Sequence, residues 1–221
     1  MSRPLMIVFC IPGREFSGRF LDCWNDLVAG CNRAGISYAV AREYDPVVYY
    51  ARNKVLGGNV RLGPKQEPWG GKIPYDFMLW IDSDVIFTFQ DLVTLITHNV
   101  DMVSGLYVMQ DGKRFPVVEH MDEATLQRQG EFEYMTLKSF EGRTGLVPVG
   151  YSGFGFTLVK KGVFERLTYP WFRPVFMQIG EVSEFTSEDV GFCILAKKAG
   201  VVMHIDPTVI VGHEKSVVLR A

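Results

Sequence analysis

Apolar residues along this chain fall into short unbroken runs separated by stretches with helical spacing. Leu5 to Ile11 form the first run, a buried strand that closes on Pro12-Gly13. After Ser17, the residues Phe20, Leu21, Trp24, Leu27, Val28 and Cys31 recur at helical intervals until Gly35 ends the pattern. "ISYAVAREY" predicts a second strand. Asp45 and Pro46 predict the cap and first position of a second helix over "DPVVYYARNKVLGG". Residues 59–75 lack periodicity and read as a loop. Phe77 to Ile81 make a third buried strand, followed by a helix near 90–98 and the strand "DMVSGLYV".

This alternation predicts an α/β fold, with a mostly parallel central sheet, helices on both faces, and ligand sites at the carboxyl ends of the strands. Beyond residue 110 the pattern turns polar and irregular, which predicts an insertion or a small antiparallel part. "VPVGYSGFGFTLVKKGVFERL" reads as a glycine-rich turn entering a strand and a short helix. "FTSEDVGFCILAKKAG" reads as a helix opened by Thr186 or Ser187 and closed by Gly200, and "VVMHIDPTVIVGHEKS" as final extended segments. With no internal repeat or second linker, residues 1–221 are expected to form one domain.

The 221 residues, 48% of them hydrophobic and 22% charged, suffice for a substantial core and argue against disorder. A formal net charge of −2 gives no basic excess for nucleic acid, so any polyanionic ligand needs a local site. Cys10, Cys23, Cys31 and Cys193 show no paired spacing and predict reduced thiols, so zinc is not expected. No apolar stretch reaches the roughly 18 residues of a membrane span. A soluble, cytoplasmic-type protein is expected, or a piece cut from a larger multidomain chain.

The third strand runs directly into Asp82-Ser83-Asp84. Side chains alternate along a strand, so both acids are expected on one side, where a divalent cation between them relieves their repulsion. The alternative is a turn or a helix cap. A second acid pair, Glu188-Asp189, opens a helix, where the macrodipole favours ionised carboxylates.

"WIDSDV" resembles the D-x-D motif of GT-A-fold (Rossmann-like) glycosyltransferases, which hold a nucleotide sugar through a divalent metal. Three further stretches match in order: "ARNKVL", the pair "GYSGFGFTLVKKGVFE" and "SEDVGFCILAKKAGVV", and a late histidine in "VGHEKS". Closer still, the chain looks like the N-terminal glycosyltransferase domain of chlorovirus proteins that build capsid glycans. That likeness implies a viral protein working in the host cytoplasm.

The resemblance implies Mn²⁺ or Mg²⁺ as cofactor, a UDP-sugar as donor and a glycan or glycoprotein as acceptor. Residues 1–110 become the nucleotide-sugar and metal half, and residues 111–221 the acceptor side. It assigns Asp84 and His213 to the metal, with Asp82 on the metal or the ribose and Ser83 beside the nucleotide. Pro12, Gly13 and Arg14 lie where backbone can approach a nucleotide, the alternative being an ordinary turn. Arg52, preferred over Lys54, falls on the nucleotide-side "RN". Asp45 is either a base or ribose contact or only a cap, and Lys215 either meets the diphosphate or is a solvated surface lysine.

Tyr151, Ser152, Gly153 and Phe154 are expected beside the sugar, with Trp69 and Trp171 as further candidates for an acceptor groove. In inverting relatives the aspartate of the E-D pair is the base, which makes Asp189 the base and Glu188 its support. Three rival readings remain at this stage: a haloacid-dehalogenase-like phosphatase, a retaining glycosyltransferase, and a non-catalytic nucleotide-sugar-binding module. The phosphatase family carries its motif on the first strand with a different sequel, unlike Asp82 to Ile86 here.

Overall fold

The computed structural model describes residues 3–216. In chain order the elements are β1 (Met6–Pro12), α1 (Gly18–Ala34), β2 (Ser37–Glu43), α2 (Val48–Val55), β3 (Phe77–Ile81), β4 (Val85–Ile86), α3 (Phe89–His98) and β5 (Met102–Leu106). There follow β6 (Val117–Val118), α4 (Glu123–Gln129), β7 (Val147–Val149), β8 (Tyr151–Ser152), β9 (Phe156–Lys160), β10 (Phe176–Ile179), β11 (Val182–Phe185), α5 (Glu188–Lys198), β12 (Met203–Ile210) and β13 (Gly212–His213).

Seven strands form the central sheet in the order β2-β1-β3-β9-β5-β12-β7. β1 pairs parallel with β2 and β3, and β5 parallel with β12, while β9 runs antiparallel between β3 and β5. β7 is an antiparallel edge. The expected mostly parallel α/β sheet is present, and the strand after the glycine-rich turn enters it antiparallel. β9 fills the centre and joins the two parallel groups.

Alternation of side chains along β1 and β3 builds the core on both faces. Ile7, Phe9, Ile11, Phe77, Leu79 and Ile81 meet Phe20 and Leu27 of α1 and Leu92 and Leu95 of α3. Val8, Cys10, Met78 and Trp80 face the other way and meet Val55 of α2 and Phe192 of α5. Local signals fix several ends. The Ser17 hydroxyl accepts Phe20 N–H at the start of α1, and Gly35 closes it at φ 67°. Thr88 and Asp91 form a capping box on α3.

The second helix starts later than expected. Its N-cap is Val47, without a side-chain cap, and Asp45 accepts the Val47 N–H (3.0 Å) in a turn two residues ahead. Pro46 therefore belongs to that turn and not to the helix.

Candidate functional site

The two acids after β3 do not extend the strand. The chain turns at once, with Val85 N–H bonded to the Asp82 carbonyl (3.1 Å), so strand alternation stops at Ile81. The two carboxylates take different partners, though both line one cleft. Asp82 accepts two bonds from Arg52 Nη2 (3.1 and 3.2 Å). Asp84 instead meets His213 Nε2 (3.2 Å) and Lys215 Nζ (2.6 Å). Burial pushes the Asp82 carboxyl above the usual carboxylate range despite the Arg52 guanidinium, and the Asp84 charge adds to the rise.

His213 arrives by a two-residue ladder, β13 pairing antiparallel with β4 so that His213 faces Val85. Its Nδ1 donates to the Val108 carbonyl (2.6 Å), since a carbonyl only accepts. In the neutral ring this leaves the Nε2 lone pair turned toward Asp84, two acceptors aimed at one point. Tyr107 packs edge-on against the same ring at 5.2 Å. An oriented imidazole beside a carboxylate fits a divalent cation that completes its shell with phosphate oxygens and water. Among the described residues no three His, Cys, Asp or Glu side chains gather to hold a metal by themselves. Two protein ligands are what this donor set provides.

Arg52 is the hinge of the site. It is 3% exposed, and its Nε donates to Glu188 (3.2 Å) while Nη2 holds Asp82. Nη1 has no hydrogen-bond partner among the described residues, and the guanidinium lies 5.6–5.7 Å from the ring centres of Trp80, Phe154 and Phe172. Its neighbour Asn53 donates to the Phe172 carbonyl (2.6 Å) and accepts Phe172 N–H (3.2 Å), pinning one wall of that cage. The "RN" segment thus ties the two acid motifs together from inside. Burial raises the Glu188 carboxyl, the Asp189 charge raises it further, and Arg52 opposes both.

Asp189 points elsewhere. Oδ1 accepts Ser187 Oγ and Val190 N–H (2.8 Å), and Oδ2 accepts the Tyr151 hydroxyl (2.9 Å). Ser187 occupies the N-cap but spends its hydroxyl on Asp189 instead of capping.

A cleft of about 250 Å³ opens beside the first acid pair, lined by Pro12, Gly13, Tyr44, Asp45, Asp82, Ser83 and Asp84. Most of the expected nucleotide-side residues meet there, at the carboxyl ends of β1, β2 and β3. Gly13 is required by close approach, because a Cβ there would lie 2.8 Å from Ser83 Cβ. Arg14 sits beside this cleft, exposed, with its guanidinium 5.8 Å from the Tyr44 ring. Asp45 is also paired with Lys54 (2.6 Å).

The glycine-rich turn is not the expected sugar platform. Tyr151, Ser152, Gly153 and Phe154 are all buried, and only the Tyr151 hydroxyl reaches Asp189. The glycines instead make room for Tyr107, whose hydroxyl would lie 2.3 Å from a Cβ on Gly153 and which accepts Gly155 N–H (3.1 Å). Trp171 is fully buried, and Trp69 donates to the Val55 carbonyl (2.8 Å) as a packing residue.

Tyr107 itself escaped the sequence reading. Burial raises its hydroxyl far above the ordinary tyrosine range, and the charges of both Asp82 and Asp189 push it further. Its signal was position, one residue past the carboxyl end of β5.

No family model and no curated protein matches the chain. Solved structures do. A197 from STIV matches with a TM-score of 0.55 at 18% identity, covering 96% of this chain and 86% of that one. GalNAc-T7 with UDP, GalNAc and Mn²⁺ matches at 0.51 and 11% identity, over 96% of this chain and 43% of that one. A variant of Drosophila beta1,4-galactosyltransferase 7, in complex with manganese, UDP-Gal and xylobiose, matches at 0.50 and 12%, over 96% and 71%. The chain therefore has a GT-A-like fold, and its structural neighbours include glycosyltransferases. A glycosyltransferase involved in glycosylating the major capsid of PBCV-1 matches at only 0.36 and 13% identity, over 73% and 63%, too weak to support the chlorovirus kinship expected from the sequence. No helix among the described residues is long and apolar enough to cross a membrane.

Proposed function

We propose that this protein is a metal-dependent glycosyltransferase that moves a sugar from a UDP-sugar to a glycan or glycoprotein acceptor with inversion. The observation that carries this reading is the cleft at the strand ends, where Pro12, Gly13, Asp45, Asp82, Ser83 and Asp84 converge beside the Asp84–His213 pair. Asp84 and His213 Nε2 would hold Mn²⁺ or Mg²⁺, which when bound stabilises the negative charge of the leaving diphosphate as a Lewis acid. Lys215, already on Asp84, adds positive charge where that diphosphate would lie. Arg14 and Tyr44 border the nucleotide.

Asp189 is the general base. Two donors occupy the lone pairs of Oδ1, whereas Oδ2 accepts only from Tyr151 and keeps one lone pair free for the acceptor proton. As that proton passes to Oδ2, the acceptor oxygen bonds to the anomeric carbon and the diphosphate oxygen leaves with the bonding electrons. Glu188 and Arg52 are positioning residues that fix the start of α5 against Asp82.

Titration calorimetry of UDP with and without MnCl₂ tests the donor side. Metal-dependent UDP affinity is expected, and equal affinity in both conditions would overturn the metal role.

A further inference from the structure

A groove opens beside the start of α5, lined there by Thr186, Ser187 and Val190. Its volume is about 760 Å³, within the range of roughly 300–1,000 Å³ typical of ligand sites. One wall is α4 with Phe132 and Tyr134, the other the β10–β11 hairpin, and its inner end is Thr186, Ser187 and Val190. Those last residues bracket Asp189, and Ser187 Oγ is bonded to it. The Asp189 charge also contributes to raising the half-buried Tyr134 hydroxyl, after burial itself, so Tyr134 lies within electrostatic reach of the base.

The hairpin carries an unusual surface. Phe176 and Phe185 form a cross-strand pair with ring centres 4.1 Å apart, yet they are 68% and 60% exposed. Val182, at the turn end of the hairpin, is 61% exposed. Among the described residues the groove lining carries Glu181 and Glu184 and no lysine, arginine or histidine. The nucleotide side, by contrast, has Arg14 and Lys215 at hand. Apolar rings suit the C–H faces of sugar rings, and an acidic, cation-free lining repels phosphate, sulfate or carboxylate.

We propose that this groove binds a neutral glycan acceptor, with Tyr134 and Phe185 stacking on its sugar rings and Glu181 and Glu184 excluding anionic chains. The proposal rests on the transferase reading for its link to Asp189. A glycan seated here ends against Thr186, Ser187 and Val190, the residues that flank Asp189.

An array of neutral, sulfated, phosphorylated and uronate-containing oligosaccharides, probed with the fluorescently labelled full chain in MnCl₂ and UDP, tests it. Retention of neutral chains alone is expected. Phe185→Ala, at an exposed position, should weaken that retention about three- to tenfold without changing the thermal melting curve. The Glu181→Lys/Glu184→Lys double variant should gain retention of sulfated chains. Retention restricted to anionic chains, retention indifferent to both variants, or no retention of any glycan would each overturn the proposal. Calorimetry of UDP on the same preparation separates the two readings. UDP binding without neutral-glycan retention sinks the groove alone. Groove-dependent glycan retention without UDP binding sinks the transferase reading and leaves the groove.

Discussion

The two acid pairs divide their roles in the same way but in different surroundings. In each, one carboxylate turns inward to Arg52 (Asp82 from the strand end, Glu188 from the helix start) and the other turns outward. The outward partners differ in kind. Asp84 faces an imidazole and an ammonium, groups that a metal and a diphosphate can replace or recruit. Asp189 is held by two hydroxyls and a backbone N–H, neutral donors that orient a carboxylate without supplying a cation to neutralise it. A cation-facing acid is suited to hold charge, and a hydroxyl-held acid to accept a proton. One buried guanidinium keeps both at a fixed separation.

The largest effect should come from removing that shared centre. Arg52→Ala leaves the buried Glu188 and the part-buried Asp82 without their cation, a loss of about 3 kcal/mol in urea-unfolding free energy. If the triple variant Arg52→Met, Asp82→Asn, Glu188→Gln recovers most of it, the loss belongs to the uncompensated charges and not to the aromatic cage. Next, Asp189→Asn should lower turnover about 10²- to 10⁴-fold while UDP affinity holds. NMR of the product made by the parent should show the anomer opposite to the donor's, and retention of configuration would remove Asp189 from its role. His213→Ala should then weaken Mn²⁺ binding about 10- to 100-fold with an unchanged melting curve. An unchanged affinity would make the outward partners of the two pairs equivalent.

The smallest effect should come from Tyr151→Phe, which removes one of the three donors that orient Asp189. Turnover should fall about three- to tenfold while UDP affinity holds, and unchanged turnover would make Tyr151 a packing residue.

Features encoded within a few residues were legible in the sequence, and those made by distant segments were not. β1 and β3 stood out as unbroken apolar runs, α1 through its spacing between Ser17 and Gly35, and α5 through its acid-bearing first turn. The ends of β1, β2 and β3 were legible from chain order, which is why the residues lining one cleft could be named together. Arg52 was found, but its environment was not. A helical arginine reads as solvated until the chain brings Trp80, Phe154 and Phe172 around it from three separate segments. The same gap explains Phe154 and Trp171, since an aromatic residue for packing and one for sugar look alike in one dimension. Asp45-Pro46 carried a true helix-start signal that a two-residue turn displaced. Tyr107 has no motif, only a place.

β9 carries a consequence for how the molecule comes together. Residues 156–160 emerge late, yet they join β3 to β5 in the central sheet. Until they arrive, the first-made half exposes two apolar strand edges and lacks the Gly155 carbonyl that fixes Asp82 N–H (2.9 Å). Neither half is then a unit that can acquire its structure alone. The sheet closes through long-range pairing, which slows folding and leaves open edges exposed to association in the meantime. A chain cut anywhere before β9 loses more than its second half: the acid turn that ends β3 is left without the strand that holds it.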